Sequence, residues 1–112
     1  MTPEGVVKRE IQDAFKALGV LCIRVNSGRV RVRGGWQHGA PEGTADLLVF
    51  PGGGRMLAVE VKQPGERATE VQLAWGADWT RRGGVYVVVD SLDGALDALK
   101  LTDLALRAEE KR

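Results

Sequence analysis

Residues 51–54, a proline followed by three glycines, constrain the fold of this chain more than any other feature of its sequence. Such a run favours a tight turn. It separates two short apolar segments, 46–50 and 56–62, whose composition is typical of strands. Two short strands joined by such a turn form an antiparallel pair. We therefore predict a β-hairpin over residues 46–62.

The length of the turn sets the pairing of the two strands. A five-residue loop centred on Gly53 places Asp46 opposite Glu60. Because side chains alternate along a strand, Glu60 and Lys62 share one face. The predicted register therefore brings two carboxylates and a lysine together.

Glu60 and Lys62 interrupt a strand that is otherwise apolar, and charges in a buried strand need a partner or a metal. Two adjacent carboxylates repel unless they share a proton or bind a divalent cation, and oxygen ligands suit Mg²⁺ or Mn²⁺. A neighbouring ammonium group can help to activate water and stabilise charge on a phosphate. A buried ion-pair cluster without catalytic function has the same sequence pattern, so both interpretations stay open.

The elements around the hairpin predict an α/β fold with a mixed sheet flanked by helices. After the hairpin, a helix and then an apolar strand follow, which favours a right-handed parallel crossover. The predicted order is α-β-β-β-α-β followed by a C-terminal helix, in a single domain of residues 1–112. The predicted elements are helix 3–19, strands 20–25, 46–50 and 56–62, helix 69–82, strand 85–89 and a helix after Ser91.

Residues 26–43 are rich in glycine and arginine, and their alternation of valine with arginine predicts an exposed hairpin or ribbon. The net charge is only +1, so overall charge does not hold a nucleic acid. A solvated hairpin and a phosphate-binding surface both fit the segment. The candidate DNA-binding residues are Arg24, Arg29, Arg31, Arg33, Trp36 and His38.

A family resemblance is carried by segments 2–8, 43–48 and 54–65, by Gln72 and by the glycine pair 83–84. In these segments the sequence resembles the VRR-NUC branch of the PD-(D/E)xK nuclease superfamily, over nearly its whole length and including the start of stand-alone phage and bacterial members. The proline that usually precedes the aspartate is Ala45 here, a departure from the motif at a position that is not a ligand. The resemblance implies a restriction-endonuclease-like core, whose α-β-β-β-α-β order agrees with the order predicted above.

The resemblance also implies roles for individual residues. Asp46 and Glu60 would bind the metal, helped by the carbonyl group of Val61. Lys62 would face the attacked phosphate. Gln72 either reaches a metal-bound water or phosphate, or only completes a capping box at the start of its helix.

The family further points to a glutamate on the first helix. Val7, Ile11, Phe15 and Leu18 form a predicted buried apolar stripe on this helix. Glu4 projects within about 30° of the centre of the stripe, whereas Glu10 lies about 90° away. The spacing to Gly19, which ends the helix, also favours Glu4. A first-turn acid favoured by the helix dipole is the alternative interpretation. The predicted catalytic residues are Glu4, Asp46, Glu60, Lys62 and Gln72.

We therefore expect a DNA endonuclease that depends on Mg²⁺ or Mn²⁺. The resemblance to members that act on branched DNA, such as Holliday junctions, implies a homodimer with two sites. The alternatives are a phage replication or restriction-like nuclease on linear or flapped DNA, and a non-catalytic DNA-binding module. The sequence shows neither a signal peptide nor an apolar run of the roughly 18 residues that span a bilayer. We expect a cytoplasmic protein of a bacterial cell or phage-infected host, without a membrane partner.

Overall fold

The computed structural model describes residues 2–110, with all of their side chains except those of Val30 and residues 104–110. Met1, Lys111 and Arg112, at the ends of the predicted domain, lie outside the described residues. The described elements, in chain order, are α1 Pro3–Ala17, β1 Leu21–Arg24, β2 Arg29–Val32, β3 Gly35–His38, β4 Leu47–Gly52, β5 Arg55–Val61, α2 Glu70–Arg81, β6 Val85–Val89 and α3 Leu92–Glu110.

Four strands form the main sheet in the order β1-β4-β5-β6. The β1, β4 and β5 strands are antiparallel neighbours, while β5 and β6 run parallel because α2 carries the chain back across the sheet. The predicted mixed sheet and order of elements are confirmed. The arginine-rich segment adds a separate two-stranded ribbon of β2 and β3.

The register of the β4-β5 hairpin agrees with the predicted one, since Leu47 pairs with Val59 and Asp46 directly precedes Leu47. The predicted five-residue loop is wrong. Gly52 pairs with Arg55, which leaves a two-residue glycine turn, and an irregularity between Val49 and Gly52 absorbs the extra residue. Positive φ angles suit glycine in such a turn, and the proline before it has no N–H for the ladder.

The core lies between one face of the sheet and helices α1 and α3. Ile11 and Phe15 of α1 are fully buried there, as are the inward-facing residues of β4 and β5. Each fully buried large apolar side chain of this kind contributes about 1.5 to 3 kcal/mol of transfer free energy. The buried strand residues are Leu47, Val49, Leu57, Val59 and Val61.

The helices begin where the sequence offers capping side chains. Thr2 Oγ1 accepts a hydrogen bond from the Gly5 N–H at 3.0 Å, and Pro3 occupies the first turn of α1. The α1 helix ends at Ala17, so Leu18, which was expected to continue the buried stripe, is 60% exposed. None of the helices within residues 2–110 has both the length and the apolar character of a bilayer-crossing segment.

The α2 helix packs against the other face of the sheet, over β6. Gly76 allows this contact, because a Cβ atom there would lie 2.5 Å from the Tyr86 ring. Trp75 stacks on Trp79 with ring centroids 5.2 Å apart, and the Trp79 indole N–H donates to the Val85 carbonyl at 3.0 Å. This close packing fixes the start of α2 beside the end of β5.

Candidate active site

Asp46 is held in place by backbone groups on both sides. Its carbonyl oxygen accepts from the Val25 N–H at 2.8 Å, and its carboxylate Oδ2 accepts from the Val61 N–H, also at 2.8 Å. The second carboxylate oxygen, Oδ1, lies 3.1 Å from the Lys8 ammonium group. The Asp46 carboxylate is therefore oriented towards the end of β5 before any ligand binds.

Glu60 lies in β5 and is only 3% exposed. Its Oε1 atom lies 3.4 Å from the Gln72 side-chain nitrogen, a long hydrogen bond. Its Oε2 atom is buried and has no hydrogen-bond partner within the described residues. A buried carboxylate oxygen without a partner is costly, so this atom is suited to accept a proton or bind a cation.

Burial and the proximity of the Asp46 carboxylate together raise the pKa of Glu60 from 4.5 to about 8, although the charges of Lys62 and Lys8 partly oppose the rise. In the metal-free protein at neutral pH, Glu60 is therefore mostly protonated. Protonation of Glu60 is one of the two expected ways to relieve the repulsion between the two carboxyl groups.

The donor set also fits a magnesium ion in chemical terms. The carboxyl groups of Asp46 and Glu60, the latter with its unpartnered Oε2 atom, offer the oxygen ligands that Mg²⁺ prefers. No group of three or more His, Cys, Asp or Glu side chains that could hold a metal is found among the described residues. A bound ion would therefore draw its remaining ligands from main-chain carbonyls, water and the substrate, which is usual for Mg²⁺ at phosphate-processing sites.

Lys62 directly follows β5 and continues its ladder, because its N–H donates to the Val89 carbonyl at 2.9 Å. The side chain is half-buried, and its positive charge lowers the pKa of Glu60. Lys62 thus lies near the carboxyl pair, as the alternation along the strand predicts.

Gln72 completes the predicted capping box and also contacts Glu60. Its side-chain oxygen accepts from the Thr69 N–H at 2.8 Å, and its own N–H donates to Thr69 Oγ1 at 3.3 Å, which completes the capping box. Its side-chain nitrogen points to Glu60. One amide group therefore both starts α2 and contacts the site, while a catalytic role for Gln72 stays a prediction.

Neither glutamate of α1 joins the carboxyl pair. Glu4 is half-buried in the first turn, and Glu10 is exposed. Had Glu4 lain beside Asp46 and Glu60, the three would form an acidic group of the kind that is not found among the described residues. The α1 side chain that reaches Asp46 is Lys8, one helical turn after Glu4 and on the same helix face.

Sequence reasoning missed two residues of the site, Lys8 and Tyr86. The Tyr86 hydroxyl is buried without a hydrogen-bond partner in the described part of the chain. Burial and the charges of Glu60 and Asp46 raise the pKa of Tyr86 to about 12. The signal for Tyr86 was the parallel crossover: it pairs with Ala58, two residues before Glu60 and on the same face.

The ribbon of β2 and β3 places basic and aromatic side chains on one face. Arg29 pairs with His38 and Arg31 pairs with Trp36, so alternation turns all four to the same side. The Arg29 guanidinium lies 4.7 Å from the centroid of the Trp36 ring, within cation–π range. Arg33 lies in the connecting turn. Arg24 lies apart from the ribbon, in the last position of β1.

Backbone hydrogen bonds fix the base of the ribbon near the carboxyl pair. Gly39 donates to the Gly28 carbonyl at 2.8 Å, and Ala40 donates to the Asn26 carbonyl at 2.9 Å. Only five residues, 41–45, separate Ala40 from Asp46. Asn26 also directly follows Val25, whose N–H donates to the Asp46 carbonyl at 2.8 Å, so the base of the ribbon lies beside Asp46.

Gly43 holds this connecting loop against α2. Its φ is +89°, and a Cβ atom there would lie 2.6 Å from Val71 Cγ1 and 2.7 Å from the Val71 carbonyl oxygen. We expect Gly43→Ala to lower the free energy of unfolding by about 2 to 4 kcal/mol, through backbone strain and overlap. Gly34→Ala is the control for backbone strain alone, because Gly34 has a φ of +90° and a Cβ atom there would have no other atom within 4 Å. Denaturant unfolding measures the loss of stability in both variants. Equal losses would show that the Val71 contact does not constrain the loop.

Among solved structures, one described as a VRR_NUC domain is similar to this chain, with a TM-score of 0.61 and 27% sequence identity. The similarity covers 96% of this chain and 97% of that chain. No protein-family model matches the sequence, and no curated protein does. The agreement in both fold and sequence extends over almost all residues of both chains. This similarity supports membership of the chain in the VRR-NUC family and a nuclease-type function.

Proposed function

We propose that this nuclease is a metal-dependent DNA endonuclease in which Asp46 and Glu60 hold Mg²⁺ or Mn²⁺. The observation that carries the proposal is the buried carboxyl pair with its unpartnered Glu60 Oε2 atom. A divalent cation would both satisfy that oxygen and neutralise the ionised pair. The VRR-NUC relationship supports DNA as the substrate.

Each residue of the site has a chemical task in phosphodiester hydrolysis. A bound divalent ion supplies a nucleophilic water at neutral pH and neutralises charge on the phosphate. Asp46 and Glu60 hold the ion, and the Val61 carbonyl is our proposed third protein ligand. The Lys62 ammonium stabilises the negative charge that grows on the phosphate in the transition state. Gln72 fixes the orientation of Glu60 through its amide nitrogen.

We propose further that the basic and aromatic face of the ribbon contacts the DNA backbone. A two-stranded ribbon fits a DNA groove, and arginine side chains neutralise phosphates. The anchoring of the ribbon beside Asp46 supports a DNA path that runs from the ribbon to the carboxyl pair. His38 shares this face, and Arg24 at the end of β1 extends the positive charge towards the main sheet.

Charge removal on the ribbon gives the first prediction. We expect Arg31→Ala combined with Arg33→Ala to weaken DNA binding. The slope of log Kd against the logarithm of the salt concentration should fall by about two. Arg81→Ala combined with Arg82→Ala removes the same charge at the end of α2, where both arginines pair with Asp78. Fluorescence anisotropy titrations at several salt concentrations measure the DNA affinity of both double variants. An unchanged affinity and slope would identify the ribbon as a solvated hairpin.

Branched DNA and a homodimer are part of the same proposal. One copy of the chain supplies one Asp46–Glu60 site, so two cuts in opposite strands of a junction require two copies of the chain. Leu21 and Ile23 of the edge strand β1 are 59% and 46% exposed, which gives a dimer apolar surface to bury. Sedimentation of the purified protein measures the oligomeric state, and a monomer with full junction-cleaving activity would contradict this part.

Cleavage of labelled linear, flapped and four-way DNA, with Mg²⁺ or with EDTA, tests the function. We expect Mg²⁺-dependent cutting that is strongest on the four-way substrate and absent in Asp46→Asn. Equal cutting of linear or flapped DNA would instead favour a replication or restriction-like nuclease. Tight DNA binding without cleavage under any divalent cation would identify a non-catalytic module.

A further inference from the structure

The α1 helix delivers a lysine to the metal-ligand candidate Asp46. Lys8 Nζ lies 3.1 Å from Asp46 Oδ1, and the two side chains are only 18% and 20% exposed. The buried neighbours Ile11 and Phe15 fix α1 against the sheet, so the lysine backbone has a defined position. This contact is therefore a partly buried ion pair and not a solvent-exposed pair such as that of Arg9 and Asp13.

The ammonium group and a metal would compete for the same atom. Asp46 Oδ2 accepts the Val61 N–H at 2.8 Å, whereas Oδ1 has no backbone donor and is the oxygen more open to a cation. Lys8 contacts Oδ1 at 3.1 Å. A divalent ion bridging to Glu60 would have to share or replace this contact, and two cations that close to one carboxylate oxygen repel each other.

We propose that Lys8 is a built-in counter-ion of Asp46 that a divalent metal displaces on binding. This inference rests on the proposed metal-dependent function. Without metal, Lys8 neutralises Asp46 and orients its carboxylate. On metal binding, the flexible lysine side chain leaves Oδ1 and moves towards solvent. Lys8 therefore lowers the affinity of the resting site for metal.

Removal of this counter-ion gives a measurable change in metal affinity. We expect Lys8→Met to bind Mn²⁺ about three- to tenfold more tightly than the wild type, since one partly buried ion-pair contact no longer has to be broken. Lys16→Met is the matched control, because it removes the same charge from an exposed position near the end of α1. Calorimetric titration of each DNA-free protein with Mn²⁺ measures the dissociation constants.

A second measurement uses the wild-type chain and does not depend on how a variant folds. We expect saturating Mn²⁺ to increase the acetylation rate of Lys8, measured by mass spectrometry, because displacement exposes its amine. Lys16 serves as the internal control, and its rate should not change.

The outcomes separate this inference from the proposed function. Tighter Mn²⁺ binding by Lys8→Met than by Lys16→Met, with faster acetylation of Lys8 in Mn²⁺, supports the displacement. Equal affinities of the two variants, or an acetylation rate of Lys8 that Mn²⁺ leaves unchanged or lowers, would overturn it while the metal site stands. A wild-type protein that binds no Mn²⁺ would overturn both.

Discussion

Lys62→Ala is expected to reduce DNA cleavage by about a hundredfold or more, while folding and DNA binding stay close to those of the wild type. The variant removes the cation that we propose stabilises the negative charge gained by the phosphate in the transition state. The loss should therefore appear in the single-turnover rate and not in affinity. Single-turnover cleavage and thermal melts of the same preparation measure the two effects.

The metal-free site explains why stability should survive this change. Glu60 is mostly protonated at neutral pH, and Lys8 pairs with Asp46, so Lys62 is not required to neutralise the carboxyl pair. If the cluster were only structural, loss of its lysine would destabilise the fold by about 3 to 5 kcal/mol. Lys100→Ala, an exposed lysine on α3, controls for loss of charge. A Lys62→Ala protein that cuts normally but melts much earlier would show a structural role.

Glu60→Gln is expected to abolish cleavage. In EDTA, the variant should also become more stable than the wild-type protein as pH rises. The raised pKa means that the folded protein binds more protons than the unfolded chain between about pH 4.5 and 8. The wild type therefore loses stability as pH rises through this window. Below about pH 4.5, Glu60 is protonated in both the folded and the unfolded state, so it no longer makes the stability depend on pH. Glutamine stays neutral throughout and avoids the loss.

Denaturant unfolding in EDTA at several pH values measures this difference. The free-energy gap between Glu60→Gln and the wild type should widen from about pH 5 to pH 8 and then level off. Glu66→Gln, an exposed glutamate in the loop after β5, should keep the wild-type pH dependence. Added Mg²⁺ should stabilise the wild type more at the higher pH, because metal binding requires ionised Glu60. A gap that stays constant with pH would contradict the burial of an uncompensated carboxyl group.

Local patterns predicted the part of the site that lies within one hairpin. The glycine turn and the alternation of apolar residues determined the register that brings Asp46 towards Glu60 and Lys62. The turn itself was misjudged, because the irregularity between Val49 and Gly52 depends on ladder hydrogen bonds that composition does not reveal. The predicted pairing register was still correct, because a shift by one residue would move the buried face of the strand out of the core.

Contacts between distant elements could not be predicted in the same way. The position of Lys8 depends on how far α1 lies along the sheet, which is decided by the packing of Ile11 and Phe15 and not by helical periodicity alone. Periodicity selected Glu4 on the helix face that also carries Lys8, the side chain that pairs with Asp46, and the catalytic role of Glu4 stays a prediction. The dual role of Gln72 likewise needed the three-dimensional distance to Glu60.

The metal site is tested most directly by a crystal structure of the protein with Mn²⁺, using the anomalous signal of the ion. We predict one strong anomalous peak between Asp46 and Glu60, at about 2.0 to 2.3 Å from an oxygen atom of each carboxylate. A strongest peak elsewhere on the protein, or carboxylates that stay too far apart to share an ion, would contradict the assignment of Asp46 and Glu60 as the metal ligands.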